Sequence, residues 1–374
     1  MKLKIAVLAG DGIGPEVTKQ AIKVLNAIQD VFSHVFVYNE ALVGAIAIDK
    51  TGDPLPNETL MCCSDADAVL FGAIGDPKYD NDPSAKVRPE QGLLKLRKEL
   101  GLFANVRPVK AYATLIDNSP LKREIIEGTD MEIYRELTGG IYFGEKKLSD
   151  DGLTASDLCE YSSFEIERIA HLAFKAAVKR RNKLTLVDKA NVLESSRLWR
   201  KVVTKIAEEY PTVSLDFLFV DNAAMQMILS PKQFDVILTE NMFGDIISDE
   251  GSVIGGSIGL LASSSIGYTN AMFEPIHGSF PQATGKDIAN PIAAILSAAM
   301  LLDHFGLTAE AEAVRGAVEK ALAFNIVTPD LHAQSSYGTE QVGSVIANYI
   351  YQAIGVNQNY VNLENVSIGQ STLI

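Results

Sequence analysis

Apolar residues along the chain fall into two rhythms. Short continuous runs, KIAVLAG (4–10), DAVLFGAIG (67–75), LTLVDKA (184–190) and FDVILTE (234–240), read as strands buried on both faces. Between them, PEVTKQAIKVLNAIQ (15–29), SSFEIERIAHLAFKAAVKR (162–180), VLESSRLWRKVVTKIAEEY (192–210) and the segment 291–305 place apolar residues three and four apart, which predicts helices. Their alternation predicts an α/β fold on a largely parallel sheet. One segment breaks the pattern. MEIYRELTGGIYFGEKKL (131–148) sets β-prone residues on both sides of Thr138-Gly139-Gly140, which predicts a hairpin or an extended arm that reaches a neighbour. The polar stretch after Val356 follows neither rhythm and is expected to be a mobile tail.

At 374 residues the chain exceeds the size at which one core stops growing, so two domains are expected. A formal net charge of −14 argues against nucleic acid as a partner and requires any anionic ligand to be held by a local basic pocket. Cys62 and Cys63 are adjacent and Cys159 is remote, a spacing that makes neither a disulfide framework nor a zinc site and points to a reducing, cytoplasmic setting. The N-terminal run, about half the length of a signal-peptide core, turns glycine-rich and reads as a first strand. The longest apolar segment, ANPIAAILSAAMLL (289–302), is shorter than the about 20 residues a bilayer span needs. Pro291 near its start marks a buried helix, so no membrane partner is expected.

Five stretches carry candidate chemistry. GDGIGPE (10–16) is either a dinucleotide loop or a tight strand-to-helix turn; Pro15 and Glu16 keep it from matching G-x-G-x-x-G. HGSFPQATGKDIANP (277–291) is likewise a binding loop or an elaborate turn. In RPEQGLLKLRKELGLFANVRPV (88–109), Arg97 and Arg107, with Arg135 farther on, could converge on a dicarboxylate through bidentate guanidinium contacts. Solvated helix charges are the alternative for Arg97 and Lys98. Leu93 and Leu94, one helical turn earlier, would set an apolar patch beside the anion. In NMFGDIISDEGS (241–252), a helix puts Asp245 and Asp249 on one face, where like charges cost about 0.2–0.5 kcal/mol. A hard cation such as Mg²⁺ or Mn²⁺ would compensate, with Asp221 of VDNAAM (220–225) as a third ligand; an exposed acidic helix end is the alternative. Tyr142 and Lys189 lie near strand ends, where a lysine of lowered pKa takes a proton and a tyrosine gives one, although most such residues have no chemical role.

The order of these motifs, with RELTGGIYFGE, VDKANVL and DNAAM, resembles that of the isocitrate/isopropylmalate family of β-decarboxylating dehydrogenases over roughly residues 3–350. The resemblance implies a fold that is not a Rossmann fold: two domains share a large mixed sheet, the first from 1–102 plus 256–374, the second from 103–255, with 131–148 as the dimer arm. It implies that Arg97, Arg107 and Arg135 grip the malate carboxylates, with Asp221 also at the substrate. Asp221, Asp245 and Asp249 would hold Mg²⁺ or Mn²⁺, and Tyr142 and Lys189 would form the acid–base pair. Lys189 and Asp221 would come from the partner of a homodimer with shared active sites. NAD would meet Glu90, His277, Gly278, Ser279, Gln282 and Asn290. Gln282 stands where NAD-specific relatives carry an aspartate, so NAD preference with weaker rejection of NADP is expected. Leu93 and Leu94 replace the polar residue of isocitrate users and point to 3-isopropylmalate and leucine biosynthesis. Isocitrate, homoisocitrate or tartrate are the alternative substrates. A non-catalytic regulatory paralogue is the other alternative, opposed by the presence of every site residue.

Overall fold

The computed structural model describes residues 1–81 and 86–353, so the tail expected after Val356 lies outside the described residues. The strands are β1 (Lys2–Gly10), β2 (Val35–Glu40), β3 (Ala68–Ala73), β4 (Ala104–Lys110), β5 (Asp130–Glu136), β6 (Lys146–Leu148), β7 (Ala155–Asp157), β8 (Lys183–Asp188), β9 (Ser214–Phe219), β10 (Val236–Thr239), β11 (Ala262–Ile266) and β12 (Ala271–Pro275). Ten of them form one sheet among the described residues, in the order β2-β1-β3-β12-β11-β4-β5-β10-β8-β9.

The sheet is mixed. β1, β2, β3 and β12 run parallel, as do β5, β10, β8 and β9, and the two sets meet through antiparallel β11 and β4. β1, β2, β3, β11 and β12 come from the two ends of the chain, whereas β4, β5, β8, β9 and β10 come from its middle. Helices cover both faces, as a sheet with parallel strands requires. Helices Gly14–Phe32, Ile292–His304, Thr308–Ala323 and Thr339–Ala353 pack with Ile5, Val7, Leu70 and Phe273 in the largest core. On the same side of the other half, helices Ser163–Lys179 and Glu194–Ala207 pack Phe174 and Trp199 against Leu184, Leu186 and Leu238.

The parallel part agrees with the pattern of apolar runs, but β11 escapes it. Its sequence, ASSSI, buries Ser263, Ser264 and Ser265, a composition that does not read as an apolar run. The segment 131–148 requires a correction. Residues 131–136 are not one limb of a hairpin around Thr138-Gly139-Gly140; they belong to β5, held in the middle of the sheet by antiparallel β4 and parallel β10. Gly140–Tyr142 forms a short 3-10 turn. The exposed ribbon lies farther along, where β6 pairs with β7. β4 is the preceding strand, reached back across the 111–129 connection, and β10 lies far along the chain, so the local pattern shows the strand without its partners.

GDGIGPE is a tight turn. Asp11 is buried, and its carboxylate accepts the backbone N–H groups of Ala45 and Ile46 at the start of helix Ala45–Thr51 and that of Gly75. Gly12 has φ 57°, and a Cβ there would fall 2.0 Å from the carbonyl oxygen of Ser279, so the turn and the 277–291 loop touch only because the residue is glycine.

Candidate active site

Strand periodicity assembles the site. Side chains alternate across a sheet, so on β4 Asn105, Arg107 and Val109 share one face while Pro108 and Lys110 share the other. Ile133 of β5 lies opposite Arg107, and Arg135 lies opposite Asn105, which brings the two arginines to the same face. Helix Asn241–Ile254 covers that face, packing Ile247 and Ile254 on Val109 and Ile133. Its register turns Asp245, Ser248 and Asp249 toward the arginines. The Arg107 guanidinium donates to the Ser248 hydroxyl, to Asp249 at 3.1 Å and to the Asn105 side chain at 2.7 Å. Arg135 pairs with Asp245, and the Tyr142 hydroxyl donates to the other oxygen of the same carboxylate at 3.0 Å.

Arg97, on helix Pro89–Glu99, pairs with Glu274 of β12 at 2.7 Å. A cavity of about 140 Å³ joins it to Arg107 and is lined also by Leu93, Glu274, Ile276, His277 and Gly278. Leu93 is half-buried against the core, whereas Leu94 is exposed and lies outside that lining. Burial pushes the Arg107 pKa down and that of Arg135 down to about 10, and the neighbouring arginines add to both shifts; Asp245 opposes both, and Asp249 opposes that of Arg107. Each of these guanidinium groups is paired with a carboxylate, so a small polyanion would bind here by sharing or replacing those partners. Desolvation and the hydrogen bond to Asp245 raise the pKa of Tyr142 above the ordinary tyrosine value, so it remains a proton donor.

Lys189 and Asp221 stand apart. Lys189 pairs with Asp221, whose carboxyl that bond pulls below the usual aspartate range. Among the described residues no hydrogen bond or ion pair links them to Tyr142, Asp245 or Asp249. Nor do three acidic, histidine or cysteine side chains meet as a cation cage. Asp245 and Asp249 supply two hard carboxylates on one helix face, which fits half of a divalent-cation site. Asp221 would have to reach it from a second chain.

Of the cofactor candidates, His277 and Gly278 line the cavity, and Glu90 and Ser279 adjoin it. Ser279 is buried, and its carbonyl accepts the backbone N–H of Ile13. A Cβ on Gly75, with φ 118°, would lie 3.0 Å from the Glu90 carboxylate and 3.5 Å from the Ser279 hydroxyl, so these three form one wall. Gly278 is exposed, with open space where a Cβ would be. The His277 Nε2 is buried without a hydrogen-bond partner, and burial lowers the pKa of this imidazole, leaving a neutral ring beside the cavity. An orphaned ring nitrogen next to open glycine backbone fits a heteroaromatic ligand. Gln282 is exposed in the turn Pro281–Ala283. Asn290 is turned inward: its amide donates to Asp330 and accepts the Ile292 N–H at the start of helix Ile292–His304, so its side chain braces the loop.

Several residues at the site were not singled out from the sequence. Glu274, Asn105 and Ser248 orient the arginines, and Asn241 holds Arg135. Each lies within or beside a quoted motif or on a strand end, but only the fold supplies its partner.

Residues 4–346 match the family described as isocitrate/isopropylmalate dehydrogenase. A 3-isopropylmalate dehydrogenase of Bacteroides fragilis is 56% identical over 94% of this chain and 100% of its own length. That of Bacillus subtilis is 52% identical over 91% of this chain and 95% of its own. A solved isocitrate dehydrogenase of Methylococcus capsulatus superposes with a TM-score of 0.83 at 33% identity, covering 93% of this chain and 99% of that one.

Proposed function

The chain belongs to the isocitrate/isopropylmalate dehydrogenase family, and from that premise we propose that it oxidises and decarboxylates (2R,3S)-3-isopropylmalate to 4-methyl-2-oxopentanoate and CO₂ with NAD, in leucine biosynthesis. The observation that carries the substrate assignment is the cavity in which Leu93 stands with Arg97 and Arg107 beside His277 and Gly278: an apolar wall, an anion grip and a cofactor edge in one space. The relatives of about half-identical sequence support the same reading.

In this reading Arg97, Arg107 and Arg135 bind the two malate carboxylates and orient C2 toward the cofactor wall of Glu90, His277, Gly278 and Ser279. Leu93 meets the isopropyl group; Leu94, being exposed, contributes only if the 89–99 helix closes on the ligand. Asp245 and Asp249, with Asp221 of a second subunit, would hold Mg²⁺ or Mn²⁺. When bound, the cation supplies Lewis-acid polarisation of the C2 oxygen and stabilises the negative charge left as CO₂ departs. NAD supplies the acceptor for the C2 hydride. Lys189 of the second subunit, held by Asp221, takes the C2 hydroxyl proton. Tyr142, raised in pKa and aimed by Asp245, delivers a proton to C3 after decarboxylation.

A homodimer with shared sites follows from that assignment. It is supported by the exposed apolar side chains Met225, Ile228 and Leu229 on helix Val220–Leu229 and Ile246 and Val253 on the adjoining Asn241–Ile254 helix, a patch that a second copy would cover. The β6–β7 ribbon, in place of 131–148, is the arm this dimer would exchange. The two domains are taken as 1–102 with 256–374, and 103–255. No helix among the described residues is long and apolar enough to cross a membrane. A cytoplasmic setting is part of the proposal.

Comparing kcat/KM for 3-isopropylmalate, isocitrate, homoisocitrate and tartrate tests the assignment. A preference for 3-isopropylmalate is expected, by about tenfold or more if an apolar pocket decides. Preference for isocitrate would overturn it.

A further inference from the structure

The sequence motif that supplies Asp245 begins with Asn241, whose every polar atom is engaged. This residue is 1% exposed at the first position of its helix. Its side-chain oxygen accepts two hydrogen bonds from Arg135, from Nη2 at 2.9 Å and from Nε at 3.2 Å, and its backbone carbonyl accepts Nε as well, at 2.9 Å. Its side-chain nitrogen donates to the carbonyl of Gly139 at 3.1 Å, and its backbone N–H donates to the Tyr161 hydroxyl at 3.0 Å. The helix lies close on the arginine stem: a Cβ on Gly244 would fall 2.5 Å from the Arg135 Cγ.

These contacts close a ring. Arg135 binds one oxygen of Asp245 and Tyr142 binds the other; Tyr142 ends the turn that begins beside Gly139; Gly139 is tied back to Asn241. That turn packs closely on Tyr161: a Cβ at Gly139 would fall 2.7 Å from its ring and one at Gly140 2.3 Å from its hydroxyl oxygen, and that hydroxyl is itself held by the backbone N–H of Asn241. Only an asparagine meets both demands in this space. Aspartate keeps the acceptor for Arg135 and loses the donor to Gly139; alanine loses both; glutamine is longer by a methylene.

We propose that Asn241 is a positioning residue that sets the anion-gripping Arg135 and the proton-donating Tyr142 in register with one another. It rests on the roles given above to Arg135 and Tyr142. It goes beyond them in making one amide the common reference for substrate binding and proton delivery.

The test uses the full-length dimer, with wild-type turnover of 3-isopropylmalate measured first. Absence of that turnover sinks the substrate reading, whereas wild-type turnover with unaffected variants sinks only the positioning role. Asn241→Asp is expected to lower kcat by about tenfold to a hundredfold, as a slight misplacement of a reacting group does, while KM for 3-isopropylmalate changes little. Asn241→Ala is expected also to raise that KM by about tenfold or more, since hydrogen bonds to a charged group are lost, with KM for NAD unchanged. In a Tyr142→Phe background, Asn241→Asp is expected to cost less than about threefold further, because both changes act through one group. Equal losses of kcat in both variants with unchanged KM for the malate, or full additivity with Tyr142→Phe, would overturn the proposal. So would failure of both variants to fold, which would assign Asn241 to stability alone.

Discussion

Among single residues, Lys189 is the most consequential side chain in the proposed chemistry. Lys189→Met is expected to lower kcat by about 10²–10⁴-fold, the range for a lost general base, with circular dichroism and oligomeric state unchanged; unchanged turnover would remove it from the mechanism. The arginines, aspartates, Tyr142 and Lys189 are legible in the sequence because their side chains suit an anion, a cation and proton transfer. Nothing local says that Arg107 and Arg135 share a face, since that depends on the register of two antiparallel strands. The pKa of Tyr142 lies above the ordinary tyrosine value. Its protonated form is the active one, so the donor survives through the ordinary tyrosine range near pH 10 and is lost only above it. A pH profile of kcat should place the midpoint of any tyrosine-type loss above that value. Gln282 is exposed and uncharged, so it can accept a ribose hydrogen bond without repelling a 2′-phosphate. Gln282→Asp is expected to raise the preference for NAD over NADP by about tenfold, read as a ratio of kcat/KM values.

Among elements, those with apolar runs or three- and four-residue spacing were legible with bounds shifted by a few residues. Elements stabilised by buried polar groups were not. The hydroxyls of Ser263 and Ser265 in β11 face Asn105, so a strand at the centre of the molecule has the composition of a loop. The glycine pair after β5 suggests a hairpin, but those glycines serve the close approach of Tyr161, and β5 is fixed by the preceding strand β4 and by β10, far along the chain. The same remoteness bears on the active site, because Lys189 follows β8 and Asp221 opens the helix after β9, while Tyr142 follows β5. If the two groups meet only across a dimer, two dead variants should revive each other. Mixing Lys189→Met with Tyr142→Phe chains and allowing subunit exchange should restore about a quarter of wild-type activity, since half the dimers are mixed and each carries one intact site. No recovery in demonstrably mixed dimers would place both residues in a single-chain site.

For the whole molecule, two oppositely running parallel sets joined through antiparallel β4 and β11 set the arginine face of the middle segment against the glycine turns and the 277–291 loop of the chain ends. Apolar runs sufficed to read an α/β fold, but the mixed sheet and the discontinuous use of the chain entered only through the resemblance of ordered motifs, because strand order is not a local property. An acidic protein that binds a dianion must concentrate its cations, and Arg97, Arg107 and Arg135 do so around one covered strand face. The direct measurement is NADH and CO₂ formation by the purified protein supplied with 3-isopropylmalate, NAD and Mg²⁺ or Mn²⁺, with and without a chelator. The expected result is one NADH and one CO₂ per substrate consumed, lost on chelation and restored by the metal; no turnover by a folded, metal-supplied dimer would contradict it.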